Sequence, residues 1–190
     1  MKNKGLLIIL SAPSGAGKST VVQDLMKKRE NFRFSVSATT RKPRIGEIDG
    51  KDYYFVTREK FEEMIAAGEF LEYAQYVDNF YGTPRKALEQ QLEEGYDVIL
   101  DTETQGAFQV KEKCPDALMF FLMPPSFEEL ESRLVSRGKD APEVIRHRLE
   151  VAKHECSLAE RYDYIIVNDN VERAANEFIA AVDKEKNKNI

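Results

Sequence analysis

The sequence predicts an α/β fold in which helices cover both faces of a parallel sheet. Three runs of apolar residues show no polar alternation, which is typical of strands buried on both faces. Segments with helical spacing of apolar residues separate these runs, and strands that alternate with helices favour parallel pairing. The strands are predicted at residues 6–10, 96–101 and 117–123, with a shorter one at 162–168. Ligands of such sheets bind at the carboxyl ends of the strands.

Length and composition are typical of a soluble globular protein. The 190 residues are enough for one domain with an inserted subdomain, and 42% of them are hydrophobic. The net charge of -5 disfavours the broad basic face that nucleic acid or an acidic membrane requires. The N-terminal apolar run of five residues is too short for a signal or a membrane span. We therefore expect a cytoplasmic protein without nucleic-acid or membrane partners, and the sequence indicates no oligomeric state.

The first predicted strand leads directly into a loop of small residues, SAPSGAGKST. Such residues let the backbone turn tightly so that successive N–H groups converge, and the following helix adds the positive end of its dipole. The loop matches the P-loop pattern G-x-x-x-x-G-K-[ST], except that Ala12 replaces the first glycine. An ordinary glycine-rich turn is the alternative. The residues expected to bind the phosphates of a nucleotide are Ser14, Gly15, Ala16, Gly17, Lys18, Ser19 and Thr20.

The next part of the chain, residues 32–84, is richer in short strand-like segments than the rest. It contains an alternating stretch at 32–41, a charged loop, and a second short strand at 52–57. A helix is predicted from Arg58 to Gly68, then a strand at 70–77, and the sequence NFYGTP is predicted to form a turn. We interpret residues 32–84 as a small β-rich insertion into a core formed by residues 1–31 and 85–190.

The alternation of helices and strands resumes after this insertion. Pro84 begins a helix that ends at Gly95, and another helix follows the strand at 96–101. Ser126 and Glu129 have the spacing of a capping box at the start of a helix. A long amphipathic helix then precedes the last strand, and a final helix begins near Val171. The residues at the carboxyl ends of the predicted strands are Ser11, Asp101, Met123 and Asn168.

A second candidate phosphate site lies in the charged loop of the insertion. Arg41 and Arg44 are three residues apart, and Pro43 between them stiffens the backbone. Two guanidinium groups held at this spacing could form a fork for a phosphate. A solvated basic turn is the alternative that the residues alone leave open.

Taken together, the motifs resemble those of the guanylate kinase family, whose members transfer the γ-phosphoryl group of ATP to GMP. The segments that carry the resemblance are SAPSGAGKST, FSVSATTRKPRIGEIDGKDYYF, GEFLEYAQY, FYGTP, DVILDTETQGA, FFLMPPS, RLVSRG and IIVND. They occur in the family's order over nearly the whole chain. The resemblance implies a P-loop NTPase core, a GMP-binding insertion at 32–84 and a mobile helical lid at about 126–150. It also implies an ATP:GMP phosphotransferase of purine nucleotide metabolism.

The resemblance assigns a role to individual residues on both sides of the reaction. On the acceptor side it implies that the GMP phosphate is held by Arg41, Arg44, Tyr53 and Tyr81, and that guanine is recognised by Ser37, Glu72, Thr83 and Glu103. A carboxylate suits guanine because it can accept both N1–H and the 2-amino group, whereas adenine offers an acceptor at N1. On the donor side the implied residues are Lys18, Asn168 against adenine, and the lid arginines Arg133, Arg137 and Arg148.

Mg²⁺ is the cofactor implied with ATP, held by the Ser19 hydroxyl and, through water, by Asp101. Arg41 and the lid arginines would act with Lys18 on the charge of the transferring phosphoryl group. No general base is required, because the acceptor is a phosphate oxygen that is already ionised near neutral pH.

Glu103 departs from the family's pattern, in which Asp usually stands at this position. The longer side chain moves the carboxylate by about one C–C bond, so we expect a contact with guanine through water or after a small shift of the base.

Two other functions compete with guanylate kinase activity. A catalytically silent protein-binding module of this fold should have a degraded P-loop and no lid arginines, whereas this chain keeps Lys18, Ser19 and Arg133. A kinase for another nucleoside monophosphate should lack the TTRKPR loop and Glu72, which are both present. The sequence therefore favours guanylate kinase over both alternatives.

Overall fold

The computed structural model describes residues 4–76, 78–136 and 141–188. The strands within these residues are β1 (Leu7–Ser11), β2 (Phe32–Phe34), β3 (Ala38–Thr39), β4 (Tyr54–Phe55), β5 (Phe70–Tyr76), β6 (Asn79–Pro84), β7 (Asp97–Asp101), β8 (Leu118–Met123) and β9 (Tyr164–Val167). The helices are α1 (Lys18–Lys28), α2 (Arg58–Ala66), α3 (Arg85–Glu93), α4 (Thr104–Lys113), α5 (Phe127–Ser136), α6 (Pro142–Ser157) and α7 (Val171–Lys188). A short 3-10 turn at Ala159–Arg161 precedes β9.

Five strands form one sheet in the order β2-β7-β1-β8-β9. The pairs β2–β7 and β8–β9 are parallel, with Phe32 opposite Asp97 and Phe120 opposite Tyr164. Every residue of β1 is buried, as expected for a strand covered on both faces. Phe178 of α7 packs against Phe120 of β8 with 4.3 Å between ring centroids. The predicted α/β class with a parallel sheet and flanking helices is confirmed.

Four strands form a second sheet in the order β4-β3-β6-β5. The turn predicted for NFYGTP is wrong, because these residues form strand β6, which pairs antiparallel with both β3 and β5. A side chain at Gly82 would lie 2.9 Å from Phe70 and 3.0 Å from the Cβ of Tyr73. The glycine thus permits close packing beside β5 rather than a turn.

The chain divides into two compact units. The first unit comprises Met1–Ile8, Asn31–Asp101 and Gln105–Ala117, and the second comprises Ile9–Glu30, Thr102–Thr104 and Leu118–Ile190. Strand β1 contributes residues to both. Strand β2 lies in the five-stranded sheet although it falls within residues 32–84. The division into core, insertion and lid stays a prediction.

Each unit has apolar clusters that hold its helices. In the first unit, Phe61 of α2 stacks on Phe70 with 4.3 Å between ring centroids, and both are buried with Ala38. In the second unit, α5 packs on α6 through Leu130, Leu134, Ile145 and Ala152. The predicted cap at the start of α5 is present, because the Glu129 N–H donates to Ser126 Oγ at 3.1 Å. No described helix combines the length and apolar composition needed to cross a membrane.

Candidate functional site

The loop between β1 and α1 has the geometry of a phosphate-binding turn. Gly15 and Gly17 adopt positive φ angles of 96° and 88°, and the Ala16 N–H donates to the Pro13 carbonyl at 3.0 Å. Gly17 is the N-cap of α1 and offers no side-chain hydrogen bond to the helix. The first turn of α1, all of which is described, contains no acidic residue. The positive end of this helix is therefore available to an anion.

Asn168 is fixed against this loop within the second unit. Its side chain is 3% exposed, and its Nδ2 donates to the Ala16 carbonyl at 2.7 Å. Its backbone N–H donates to the Met123 carbonyl at 2.8 Å, so the position after β9 is anchored to β8. A cavity of about 320 Å³ lies here, lined by Gly15, Gly17, Thr20, Arg133, Ser136, Asn168, Asp169 and Val171.

Arg133 of α5 also belongs to this cavity. Its Nε donates to Glu129 at 2.9 Å, and its two terminal nitrogens make long contacts of 3.5 Å with the carbonyls of Ala16 and Asn168. Of the other two predicted lid arginines, Arg148 is half-buried in α6 and Arg137 lies outside the described residues. The structure thus brings Arg133, a predicted lid arginine, to the P-loop.

Lys18 interacts electrostatically with Glu155, a half-buried acid of α6 in the same unit. Burial raises the pKa of Glu155 to about 7, the charge of Glu103 raises this pKa further, and Lys18 opposes the shift. Ser19 is exposed in the first turn of α1, and Glu103 is exposed just before α4. Glu103 and Lys18, both predicted site residues, therefore share a neighbour in Glu155.

Arg41 of the first unit is held by a carboxylate in its own loop. Glu47 accepts two hydrogen bonds from its guanidinium, at 3.0 and 2.8 Å, and a third from the Arg44 N–H at 2.6 Å. The hydrogen bond to Glu47 raises the pKa of Arg41, and the hydrogen bond from Arg41 lowers the pKa of Glu47. The Arg44 residue itself is exposed.

Two tyrosines lie beside this guanidinium. The Arg41 guanidinium carbon is 5.3 Å from the centre of the Tyr53 ring, and Tyr53 meets Tyr81 edge to face at 6.1 Å. Burial raises the pKa of the Tyr53 phenol, and the charge of Asp101 at the end of β7 adds to this effect. The structure thus brings together Arg41, Tyr53 and Tyr81, which the sequence predicted to bind one phosphate.

Glu72 and Thr83 form a buried polar pair on the antiparallel strands β5 and β6. Thr83 Oγ1 donates to Glu72 Oε1 at 2.6 Å. Thr83 is 0% exposed and Glu72 is 7% exposed. A buried carboxylate is costly unless it serves as a hydrogen-bond acceptor. Ser37 is half-buried just before β3, where its carbonyl accepts from the Tyr54 N–H at 2.9 Å.

The sequence model of the guanylate kinase family matches residues 4–185 of this chain. The chain belongs to the guanylate kinase family. A guanylate kinase from Lactococcus lactis is 58% identical over 175 residues, which cover 92% of this chain and 85% of that protein. The predicted resemblance is confirmed.

One solved structure is a member of the same family, and another shares only the fold. The crystal structure of guanylate kinase from Anaplasma phagocytophilum matches with a TM-score of 0.77 at 40% identity, covering 97% of this chain and 87% of that one. A shikimate kinase from Bacteroides thetaiotaomicron matches with a TM-score of 0.50 at 17% identity, over 94% of this chain and 98% of that one. The second match shows the fold alone, which is common to P-loop kinases.

Two residues of this guanylate kinase family member were missed as site residues from the sequence. Glu47 lies in the TTRKPRIGE segment, and a carboxylate six residues after Arg41 was a usable signal. Glu155 follows Arg148 by seven residues, two helical turns, so it shares that face of α6. Glu155 was indistinguishable from a surface acid, because Lys18 and Glu103 belong to other parts of the chain.

Proposed function

We propose that this chain is a guanylate kinase that transfers the γ-phosphoryl group of MgATP to GMP, giving ADP and GDP. The observation that carries the proposal is the Glu72 carboxylate, which is 7% exposed and accepts from Thr83 at 2.6 Å. The family match and the named relatives support the same activity.

Guanine recognition rests on the chemistry of the buried acid. One carboxylate can accept the N1–H and 2-amino hydrogens of guanine, which lie side by side. Adenine has a lone pair at N1 and no 2-amino group, so the base would offer the Glu72 carboxylate no donors to replace those of guanine. Sites built on such hydrogen bonds discriminate by about 10⁴-fold or more. Ser37 and Glu103 complete the set that we propose for the base, Glu103 through water.

The acceptor phosphate is assigned to Arg41, Arg44, Tyr53 and Tyr81. Their arrangement supports this role, because a guanidinium and two phenols are donors for a phosphate dianion. The phosphate oxygen needs no general base, since it is ionised near neutral pH. Catalysis then consists of alignment and of stabilising the charge on the transferred group.

The donor nucleotide is assigned to the P-loop and to the cavity beside Asn168. The amides of residues 14–20 and Lys18 would bind the β- and γ-phosphates, with adenine next to Asn168. Arg133, Arg137 and Arg148 are proposed to stabilise charge on the γ-phosphoryl group, and Lys18 and Arg41 to act with them. Arginines that arrive on closure would also exclude water, which limits ATP hydrolysis.

Mg²⁺ is the metal implied by this chemistry, and the residues fit it. Among the described residues no cluster of three His, Cys, Asp or Glu could cage an ion, which suits a Mg²⁺ held mainly by phosphates and water. The exposed Ser19 hydroxyl would be a direct ligand and Asp101 a ligand through water. When bound, the ion neutralises charge on the β- and γ-phosphates.

A coupled ADP-release assay with GMP, AMP, UMP and dTMP tests the proposal. We expect turnover with MgATP and GMP, and loss of turnover when Mg²⁺ is chelated. No turnover with GMP would support a silent binding module, and equal turnover with AMP would contradict recognition of guanine by Glu72. We place the reaction, with ATP and GMP as substrates, in purine nucleotide metabolism. We also propose that the protein is cytoplasmic, which cell fractionation would test.

A further inference from the structure

The Glu47 carboxylate is the centre of the loop that carries the two acceptor-site arginines. Its Oε1 accepts from Nη2 of Arg41 at 2.8 Å, and its Oε2 accepts from Nη1 of Arg41 at 3.0 Å. Oε2 also accepts from the Arg44 N–H at 2.6 Å. The side chains of Arg41 and Glu47 are only 14% and 20% exposed. This is a bidentate, charge-assisted pair that is largely shielded from water, so it holds its geometry better than a surface ion pair does.

The hydrogen bonds of Arg41 leave one edge of the guanidinium uncommitted to this loop. Nη1 also donates to the Lys42 carbonyl at 2.8 Å, so both of its hydrogens are used within the loop. The Nε–Nη2 edge donates one hydrogen, from Nη2, to Glu47 and none to Lys42. Outside the loop, the guanidinium also interacts with the Tyr81 hydroxyl, which the sequence predicted to bind the same phosphate. A guanidinium has five N–H donors, and this second edge can also bind a phosphate bidentately.

We propose that Glu47 is a positioning residue for the acceptor phosphate, holding Arg41 by its terminal nitrogens so that the Nε–Nη2 edge is presented to the phosphate. This inference rests on the proposed function, which assigns that phosphate to Arg41. Arg41 then loses little side-chain freedom when GMP binds, because its rotamer is already set. The same carboxylate accepts from the Arg44 N–H, so Glu47 fixes the positions of both arginines relative to each other.

The opposite role makes the opposite prediction. A carboxylate on Arg41 could instead occupy the place of the phosphate and compete with it. Removing a competitor would tighten GMP binding, whereas removing a positioning group weakens it. The bond count favours positioning, because Glu47 occupies the terminal nitrogens and GMP can bind without displacing it.

The test is a double-mutant cycle of Glu47→Gln and Arg41→Met, with titration calorimetry of GMP and of guanosine and with KM and kcat for GMP. We expect Glu47→Gln to weaken GMP binding about tenfold and to leave guanosine binding unchanged, since guanosine lacks the phosphate. In the Arg41→Met background the Glu47→Gln change should alter the KM for GMP by less than about twofold.

Asp52→Asn is the matched control, because Asp52 Oδ2 accepts from the Ile48 N–H at 2.8 Å in the same loop. It changes a loop carboxylate that accepts from the Ile48 N–H rather than from Arg41, and we expect GMP affinity within about twofold of wild type. Glu47→Asp is a second variant, which keeps the charge but has a side chain one methylene shorter. Its GMP affinity should lie between those of wild type and Glu47→Gln.

Three outcomes would overturn the positioning role: tighter GMP binding by Glu47→Gln, unchanged affinity, or the same loss in the Arg41→Met background. The last would mean that Glu47 only stabilises the loop. Failure of the wild-type protein to phosphorylate GMP would overturn the proposed function instead, so the two failures are distinguishable.

Discussion

At the scale of residues, two of the cations predicted to bind phosphate each have an acidic neighbour. Arg41 is balanced by Glu47 in the first unit, and Lys18 interacts with Glu155 in the second. A net charge of -5 would otherwise repel nucleotide phosphates, so local cations must supply the attraction. The acids beside these cations determine the orientation of each cation and how strongly it attracts a phosphate.

Glu155→Gln should stabilise the protein at neutral and higher pH. Burial raises the pKa of Glu155 from 4.5 to about 7, so between these values the folded state binds more protons than the unfolded state. The free energy of unfolding therefore falls as pH rises from about 4.5 to about 7 and is flat above. Because the group is half-buried, we expect a gain of about 1 kcal/mol above pH 7 and almost none near pH 4.

Urea unfolding of both proteins at several pH values measures this difference. Glu150→Gln, an exposed position on the same helix α6, is the control and should show no pH-dependent gain. A stability difference between Glu155→Gln and wild type that is constant across pH would contradict the raised pKa.

Glu103→Asp should leave the KM for GMP unchanged or lower it. The guanylate kinase family usually has Asp here, and Glu103 is exposed just before α4 with room for a shorter side chain. Steady-state kinetics with GMP, with Glu112→Asp in α4 as a control, would measure the change. A large rise in KM would mean that the site is built around the longer carboxylate.

At the scale of elements, local patterns predicted most helices and strands because their causes are local. The helix start at Ser126 depends on a hydrogen bond to Glu129, three residues away, and α5 forms as expected. Strand β6 was missed because Asn79–Pro84 contains turn formers, and its pairing with β3 connects residues about forty positions apart. Long-range pairing overrode the local preference.

Gly17→Ala should destabilise the P-loop more than Gly68→Ala destabilises the end of α2. Both glycines have positive φ, 88° and 67°, so each alanine costs about 1 kcal/mol in backbone strain. At Gly17 the new Cβ would lie 2.6 Å from Asn168 Nδ2, whereas at Gly68 nothing lies within 4 Å. Moving Asn168 would break its hydrogen bond to the Ala16 carbonyl, which adds about 1 kcal/mol to the destabilisation by Gly17→Ala.

Urea denaturation and the KM for ATP measure the two effects. We expect Gly17→Ala to lose more stability than Gly68→Ala. We expect the KM for ATP to rise in Gly17→Ala and to stay unchanged in Gly68→Ala. Equal losses of stability in the two variants would show that Asn168 moves without cost.

At the scale of the whole molecule, phosphoryl transfer needs groups from distant parts of the chain. The groups proposed for the donor side, Lys18, Arg133 and Asn168, span about 150 positions of sequence. Arg133 is tied to Glu129 at 2.9 Å and makes only long contacts to the P-loop carbonyls. Contacts of 3.5 Å are weak, so this arginine can exchange them for a phosphate.

Arg133→Met should therefore lower kcat by about 10³-fold with little change in stability, because the role proposed for Arg133 is in the transition state. Arg146→Met is the control, since Arg146 of α6 is 73% exposed and pairs with Glu143. Steady-state kinetics and thermal unfolding would separate the effects. A rise in KM for ATP with unchanged kcat would assign Arg133 to ground-state binding.

The sequence by itself determined the fold class, the P-loop and the family, because strand periodicity, glycine conformations and short motifs depend on neighbouring residues. It also indicated Arg41, Glu72 and Asn168 as site residues. Only the tertiary structure decided which acid each cation meets: Glu47 takes the terminal nitrogens of Arg41, and Glu155 lies near Lys18. The physical reason is that charge interactions and burial depend on distances in space, which residue spacing alone does not set.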